Sequence, residues 1–200
     1  MKFSQRFFPE IFSNKMKKKF VCDKKISFYM IDLEEIETHP FKAFIPENAT
    51  IIILGTFPGK DITHKELSED DWFYGTKRNQ FWKIISGVYE TELLTKKDKQ
   101  DLFKKHGIGI ADLFLKVKRT GNNNTDSNLK VIQFNDKELK AVLENRAIKK
   151  VFFTSKFVEK TFLKLFPACA YGECLPSPSP RFATMSLTEK IKNYKIKLPK

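Results

Sequence analysis

Three short stretches concentrate the residue types that do chemistry. In Gly55-Thr56-Phe57-Pro58-Gly59-Lys60, glycines let a backbone approach a ligand closely while Pro58 sets the turn. Between Trp72 and Trp82 the chain gathers Phe73, Tyr74, Lys77, Arg78 and Asn79. That mixture suits stacking on a nucleobase, meeting a phosphate and orienting a water through an uncharged amide. Phe81 and Trp82 read instead as core. In Leu175-Pro176-Ser177-Pro178-Ser179-Pro180-Arg181, three prolines preset an extended loop and remove backbone donors, which displays Ser177, Ser179 and Arg181 together toward a phosphodiester. Each stretch also has a plain structural reading, respectively a turn after a strand, an aromatic core cluster and a Pro/Ser linker.

The elements that must hold these loops follow from hydrophobic patterning. Thr50-Ile51-Ile52-Ile53-Leu54 is a continuous β-branched and aliphatic run that stops at Gly55, the pattern of a strand covered on both faces in a parallel sheet. Shorter runs at Ile108 to Leu113 and Lys150 to Thr154, and a weaker one before Leu175, predict three more strands. Phe81, Ile84, Ile85 and Val88 share a helical face, as do Val158, Phe162, Leu165 and Phe166. Ser186 and Glu189 have capping-box spacing ahead of Leu187, Ile191 and Tyr194, which predicts a final helix. Alternating strands and helices imply a three-layer α/β/α sandwich around a four-stranded, mostly parallel sheet, whose ligand sites lie at the carboxyl ends of the strands. The first and third stretches fall there, as do Asp112 at the end of its own strand and Thr154-Ser155. The polar stretch Thr120 to Asn128 reads as an exposed loop.

Taken together, the motifs resemble the uracil-DNA glycosylase superfamily. The Gly-x-x-Pro-Gly loop after the first core strand is similar to its motif 1, and Leu-Pro-Ser-Pro-Ser-Pro is similar to its motif 2. Adding His39-Pro40-Phe41, Phe73-Tyr74-Gly75 and Asn79-Gln80-Phe81-Trp82, the chain resembles the hypoxanthine (deoxyinosine) branch from about residue 38 onward. The resemblance implies a monofunctional DNA glycosylase that hydrolyses the bond between a sugar and a deaminated base, uracil or hypoxanthine, flipped out of DNA for base excision repair. It implies no cofactor and no metal. Asn79 then takes the catalytic place, ahead of a helix cap, which is nearly as natural for an Asn there. Gly55, Thr56, Phe57, Phe73 and Asp112 would frame the base, with Phe73 as the stacking face and Asp112 as an acceptor; a cap or a surface Asp is the plain alternative for the latter. Pro58, Lys77, Arg78, Ser177, Ser179 and Arg181 would meet DNA. Two positions depart from the better-known branches: Phe57 stands where an Asp or Asn orients water, and Leu175 where a His meets the leaving uracil. These departures motivate a rival reading, a catalytically weak or inactive fold that binds nucleic acid.

Composition agrees with a polyanionic partner. The 200 residues carry a net charge of +13, with basic residues gathered at both ends. Residues 1–38 read as a basic, aromatic extension preceding a domain over 39–200. Phe3, Phe7, Phe8, Ile11 and Phe12 in it make a packed helix the first choice, ahead of a DNA-contacting arm or a disordered tail. Three cysteines without a C-x-x-C pair indicate neither a disulfide framework nor a zinc site, and are too few for the four-ligand iron–sulfur clusters of some superfamily branches. No run is long enough to span a membrane and the Lys-interrupted N-terminus lacks the apolar core of a secretory signal, so a place in the cytoplasm, or in the nucleus of a eukaryote, is expected; a monomer is expected as well.

Overall fold

An aliphatic run can be a strand only where both of its faces are covered, and such cover surrounds Ile51–Gly55 in the computed structural model, which describes residues 35–121, 123–144, 147–169 and 172–200. In chain order the elements are β1 (Ile36–Thr38), β2 (Ile51–Gly55), α1 (Lys60–Thr63), α2 (Phe81–Tyr89), α3 (Lys96–Lys105), β3 (Ile108–Asp112) and β4 (Phe114–Arg119). A 3-10 turn at Asp126–Asn128 leads to β5 (Leu129–Phe134), α4 (Asp136–Glu144), β6 (Lys150–Phe153), α5 (Lys156–Leu165), β7 (Gly172–Cys174) and α6 (Leu187–Lys197).

Strands β3, β2, β6 and β7 lie side by side in that order, each pair parallel, with a lone antiparallel bridge from Phe44 to Ile110 on β3. Because side chains alternate across a strand, β2 feeds two cores. Ile51 and Ile53 pack with Phe81, Ile84 and Ile85 of α2, Phe103 of α3 and Tyr194 of α6. Ile52 and Leu54 pack on the opposite face with Leu139 of α4, and with Val158 and Phe162 of α5. The result is the three-layer α/β/α sandwich that the patterning predicts. Each large aliphatic side chain sealed in this way contributes about 1.5–3 kcal/mol.

The predicted final helix is present, with its box closed: the Ser186 hydroxyl accepts from the Glu189 amide while the Glu189 carboxylate accepts from the Ser186 amide. Ser155 caps α5 by its hydroxyl alone, which accepts the Val158 amide at 3.2 Å.

The patterning does not predict a second sheet. β1, β4 and β5 form an antiparallel three-stranded sheet, and its inner side chains Val117, Leu129, Val131 and Phe134 extend the second core. Only Leu113 separates β3 from β4, so the chain passes from one sheet to the other without a Gly or Pro to mark the change. Its 3-10 turn also corrects the reading of Thr120 to Asn128 as an exposed loop, since Thr125, Asp126 and Asn128 are half-buried. Nearly all of the predicted extension lies outside the described residues; Ile36–Thr38 form β1.

Candidate active site

Gly55 ends β2 in register with Asp112, which ends β3. The carboxylate of Asp112 is buried, and its Oδ2 lies 2.9 Å from Nε2 of His39. The other ring nitrogen, Nδ1, accepts the Phe41 amide at 3.0 Å. An accepting Nδ1 carries no proton, so Nε2 holds it and donates to Asp112. Phe41 and Phe57 meet the imidazole edge-on, with Phe73 tilted against it, all at 5.5–5.9 Å between ring centres. One carboxylate oxygen is thereby held by His39. The other, Oδ1, lies over Gly55: a Cβ there would fall 2.2 Å from Asp112 Oδ1 and 2.3 Å from the Tyr74 hydroxyl. Only glycine leaves room for both groups.

Tyr74 reaches this point through a left-handed backbone, φ 58°, between the buried Phe73 and Gly75. Its ring stacks on Phe81 at 4.1 Å, and its hydroxyl lies 3.0 Å from Thr154 Oγ1. Burial pushes the phenol well above its ordinary range and the Asp112 charge adds to this, so the hydroxyl keeps its proton.

Two further loops close around this floor. The Pro/Ser loop is tied down at several points: the Gln80 amide donates to Pro178 O, the Tyr194 hydroxyl to Pro176 O, and the buried Lys190 ammonium to Gln80 Oε1 at 2.8 Å and Ser179 O at 3.3 Å. Burial holds the Lys190 ammonium below the usual lysine range. The Ser177 and Ser179 hydroxyls accept from amides two residues on, at 3.3 Å each. Across the site, Arg119 forms a buried ion pair with Glu37 and donates to Pro58 O at 3.0 Å, while Asn124 Oδ1 accepts the Lys60 amide. The Arg181 guanidinium donates to the Thr125 hydroxyl.

These parts enclose a cavity of about 720 Å³, within the range of small-ligand sites. Of the residues predicted to frame a base or meet DNA, Thr56, Phe57, Pro58 and Asp112 line it. Asn79, Ser177, Ser179 and Arg181 line it as well. Gly55 lies beneath Asp112. Like Gly55, three others do not reach the cavity wall. Phe73 is 1% exposed, packed among His39, Phe41 and Trp72, and its expected place as a stacking face is open instead to Phe57 and Tyr74. Lys77 and Arg78 point to solvent in the turn that leads to α2.

Asn79 serves the capping geometry too: its Oδ1 accepts the Phe81 amide at 2.8 Å in the first turn of α2. Sequence reasoning singled out neither His39 nor Asp126 as a site residue. His39 stood in a quoted motif, but its link to Asp112 spans 73 residues and depends on where the segment before β2 crosses β3. Asp126 sat in a polar stretch with no signal of its own. Among the described residues, no group of three or more His, Cys, Asp and Glu is placed to hold a metal, and no helix is long and apolar enough to cross a membrane.

The chain is similar to known proteins in part of its sequence and in its architecture. Two curated relatives are each described as a hypoxanthine DNA glycosylase. The one from Methanosarcina barkeri is 28% identical over 116 residues, 49% of this chain and 70% of the relative. The one from Methanosarcina acetivorans is 29% identical over 98 residues, 48% of this chain and 58% of the relative. A solution NMR structure of a candidate uracil DNA glycosylase from Methanosarcina acetivorans superposes with a TM-score of 0.61 at 23% identity, covering 81% of this chain and 98% of that one, which supports the fold. The family model described as the uracil DNA glycosylase superfamily matches residues 42–198, a span that takes in every wall of the cavity. With both loops meeting at the strand ends where that family is expected to work, the chain belongs to the uracil DNA glycosylase superfamily.

Proposed function

We propose that the protein is a monofunctional DNA N-glycosylase that hydrolyses the bond between C1′ and a deaminated base, uracil or hypoxanthine, flipped out of DNA, and so begins base excision repair. The observation that carries this reading is the Asp112 carboxylate on the cavity floor, oriented by the His39 N–H and left with Oδ1 to accept. Deamination replaces a ring-nitrogen lone pair by an N–H, at N1 from adenine to hypoxanthine and at N3 from cytosine to uracil. A carboxylate acceptor pairs with the deaminated form and repels the parent base, whose lone pair would face it unpaired. The likeness to two hypoxanthine DNA glycosylases supports the same substrate class.

Flipping costs roughly a few kcal/mol and is least costly at a mismatched or damaged pair. In the cavity, Phe57 and Tyr74 offer walls to the base, and the Asn79 amide is the group for holding the attacking water. Phe57 carries no oxygen to do so, and Leu175 is a buried hydrocarbon on the same wall. That pair of side chains favours the second reading, a weak or inactive member that binds nucleic acid without cutting it.

Duplexes carrying one uracil, hypoxanthine or xanthine separate the two readings. Abasic product on at least one of them, with none on undamaged DNA, is expected. Binding without product on all three would establish the second reading. Asp112→Ala is expected to change the ranking of these substrates more than it changes affinity for undamaged DNA.

A further inference from the structure

Hydrolysis of a glycosidic bond sheds a proton from the attacking water, and the residues assigned so far do not readily take it. The Asn79 amide is not basic. Tyr74 keeps its proton. His39 already carries one on Nε2, and its Nδ1 is filled by the Phe41 amide. Asp112 has one oxygen on His39 and, in the proposed function, the other on the base.

Asp126 remains. It lines the same cavity at the tip of the β4–β5 connection, and the Thr56 hydroxyl donates to its carboxylate, beside the hydrocarbon side chain of Phe57. The tip is fixed on both sides, by Asn124 on the Lys60 amide and by Thr125 under the Arg181 guanidinium.

We propose that Asp126 is the general base of this active site, a catalytic carboxylate supplied by the second sheet in place of the polar side chain that Phe57 lacks. The inference rests on the glycosylase reading. As the water oxygen bonds to C1′, the C1′–N bond breaks and its electron pair leaves with the base nitrogen. The water proton passes to the Asp126 carboxylate and from there to solvent or to the released base, which restores the carboxylate.

The surroundings suit that task. Burial pushes the Asp126 carboxyl above its ordinary range; the Thr56 hydrogen bond opposes this, the Asp112 charge adds to it and the Arg119 charge opposes it. A carboxylate whose pKa is raised above its ordinary range accepts a proton more readily than an ordinary one. The titratable and charged groups facing it are Asp112 on β3, Arg119 on β4, Tyr74 before α2, and Arg181 through Thr125.

The test is the single-turnover rate of the full chain on a duplex that the wild type cleaves, measured from acid to neutral pH. The wild-type rate is expected to rise with pH to a plateau. Asp126→Asn is expected to bind the duplex, cleave it about 10²-fold or more slowly, and lose the acidic limb. Thr56→Val removes the hydrogen bond that favours the ionised carboxylate, and so moves the acidic limb to higher pH, a shift that a merely structural role for Asp126 would not produce. A rate for Asp126→Asn within a few-fold of wild type, with its acidic limb intact, overturns the proposal. If that variant does not fold, an unmoved limb in Thr56→Val overturns it. A wild type that yields no abasic product on any damaged duplex overturns the glycosylase reading itself, and this inference with it.

Discussion

Asn79 has two duties that share one amide. Its Oδ1 already accepts the Phe81 amide, which fixes the side chain at the mouth of α2 and leaves one oxygen lone pair and the Nδ2 protons for a water or a substrate. The duties separate on substitution. Asn79→Ser retains a good capping acceptor, so its stability is expected to stay near wild type, whereas Asn79→Ala loses about 1 kcal/mol. Both are expected to slow single-turnover cleavage by roughly 10²-fold or more, the scale of losing a preorganised polar group. Full activity in the Ser variant would reduce Asn79 to a cap. Gly55 is constrained from the other direction. A methyl group there would fall within 2.3 Å of two polar groups from different elements, so Gly55→Ala is expected to displace Asp112 or Tyr74 and impair base recognition; unaltered substrate preference would show that neither position matters.

At the scale of elements, the β4–β5 hairpin joins the loops into one site. Its first strand carries Arg119, which pairs with Glu37 on β1 and holds Pro58 O; its tip meets Thr56, Lys60 and Arg181. Burial by itself raises the Glu37 carboxyl, but hydrogen bonds from Arg119 and Thr63, the Arg119 charge and His64 outweigh it and hold the group below its ordinary range. The sign of the linkage follows from that direction. A carboxyl lowered in the folded state contributes stability that is present above its unfolded value near 4.5 and is lost as pH falls through the folded value. Glu37→Gln leaves Arg119 buried without its counter-charge, and is expected to cost about 3–5 kcal/mol at neutral pH. Thermal unfolding across pH should show the gap between variant and wild type narrowing in acid. A gap that is constant down to low pH would refute the role given to the ion pair.

For the whole molecule, a net charge of +13 supplies long-range attraction to DNA, but it does not say which charges touch phosphate. Pairing narrows the choice on the cavity rim. Lys156 is paired with Glu159 and Lys197 with Glu173, each at 2.9 Å, the latter carboxylate being shared with Lys150, whereas the Arg181 guanidinium meets only the Thr125 hydroxyl among the described residues. Replacing Arg181 by Ala is therefore expected to reduce the slope of log affinity against log salt by about one unit. An unchanged slope would place the phosphate contact elsewhere. Lys77 and Arg78, exposed and off the cavity wall, are expected to contribute attraction without the same effect on base recognition.

The sequence by itself determined the parallel sheet, because Ile51 to Leu54 can be soluble only with both faces covered, and it determined the order of the loops, because Gly55 to Gly59 and Leu175 to Arg181 follow strand ends. Local chemistry carried the cap at Ser186 just as directly. Only the tertiary structure decided which side chains face one another. His39 meets Asp112 across 73 residues and Glu37 meets Arg119 across 82, and neither partner bears a local mark of the other. Phe73 and Tyr74 show the same limit over a single step: both are aromatic, yet a left-handed backbone at Tyr74 sends one ring into the core and brings the other to the cavity. Asp126 was silent in a polar stretch for that reason. A carboxylate acquires a chemical role from the low-dielectric wall and the charges it is folded against, and those come from β2, β3 and β4 rather than from its neighbours in the chain.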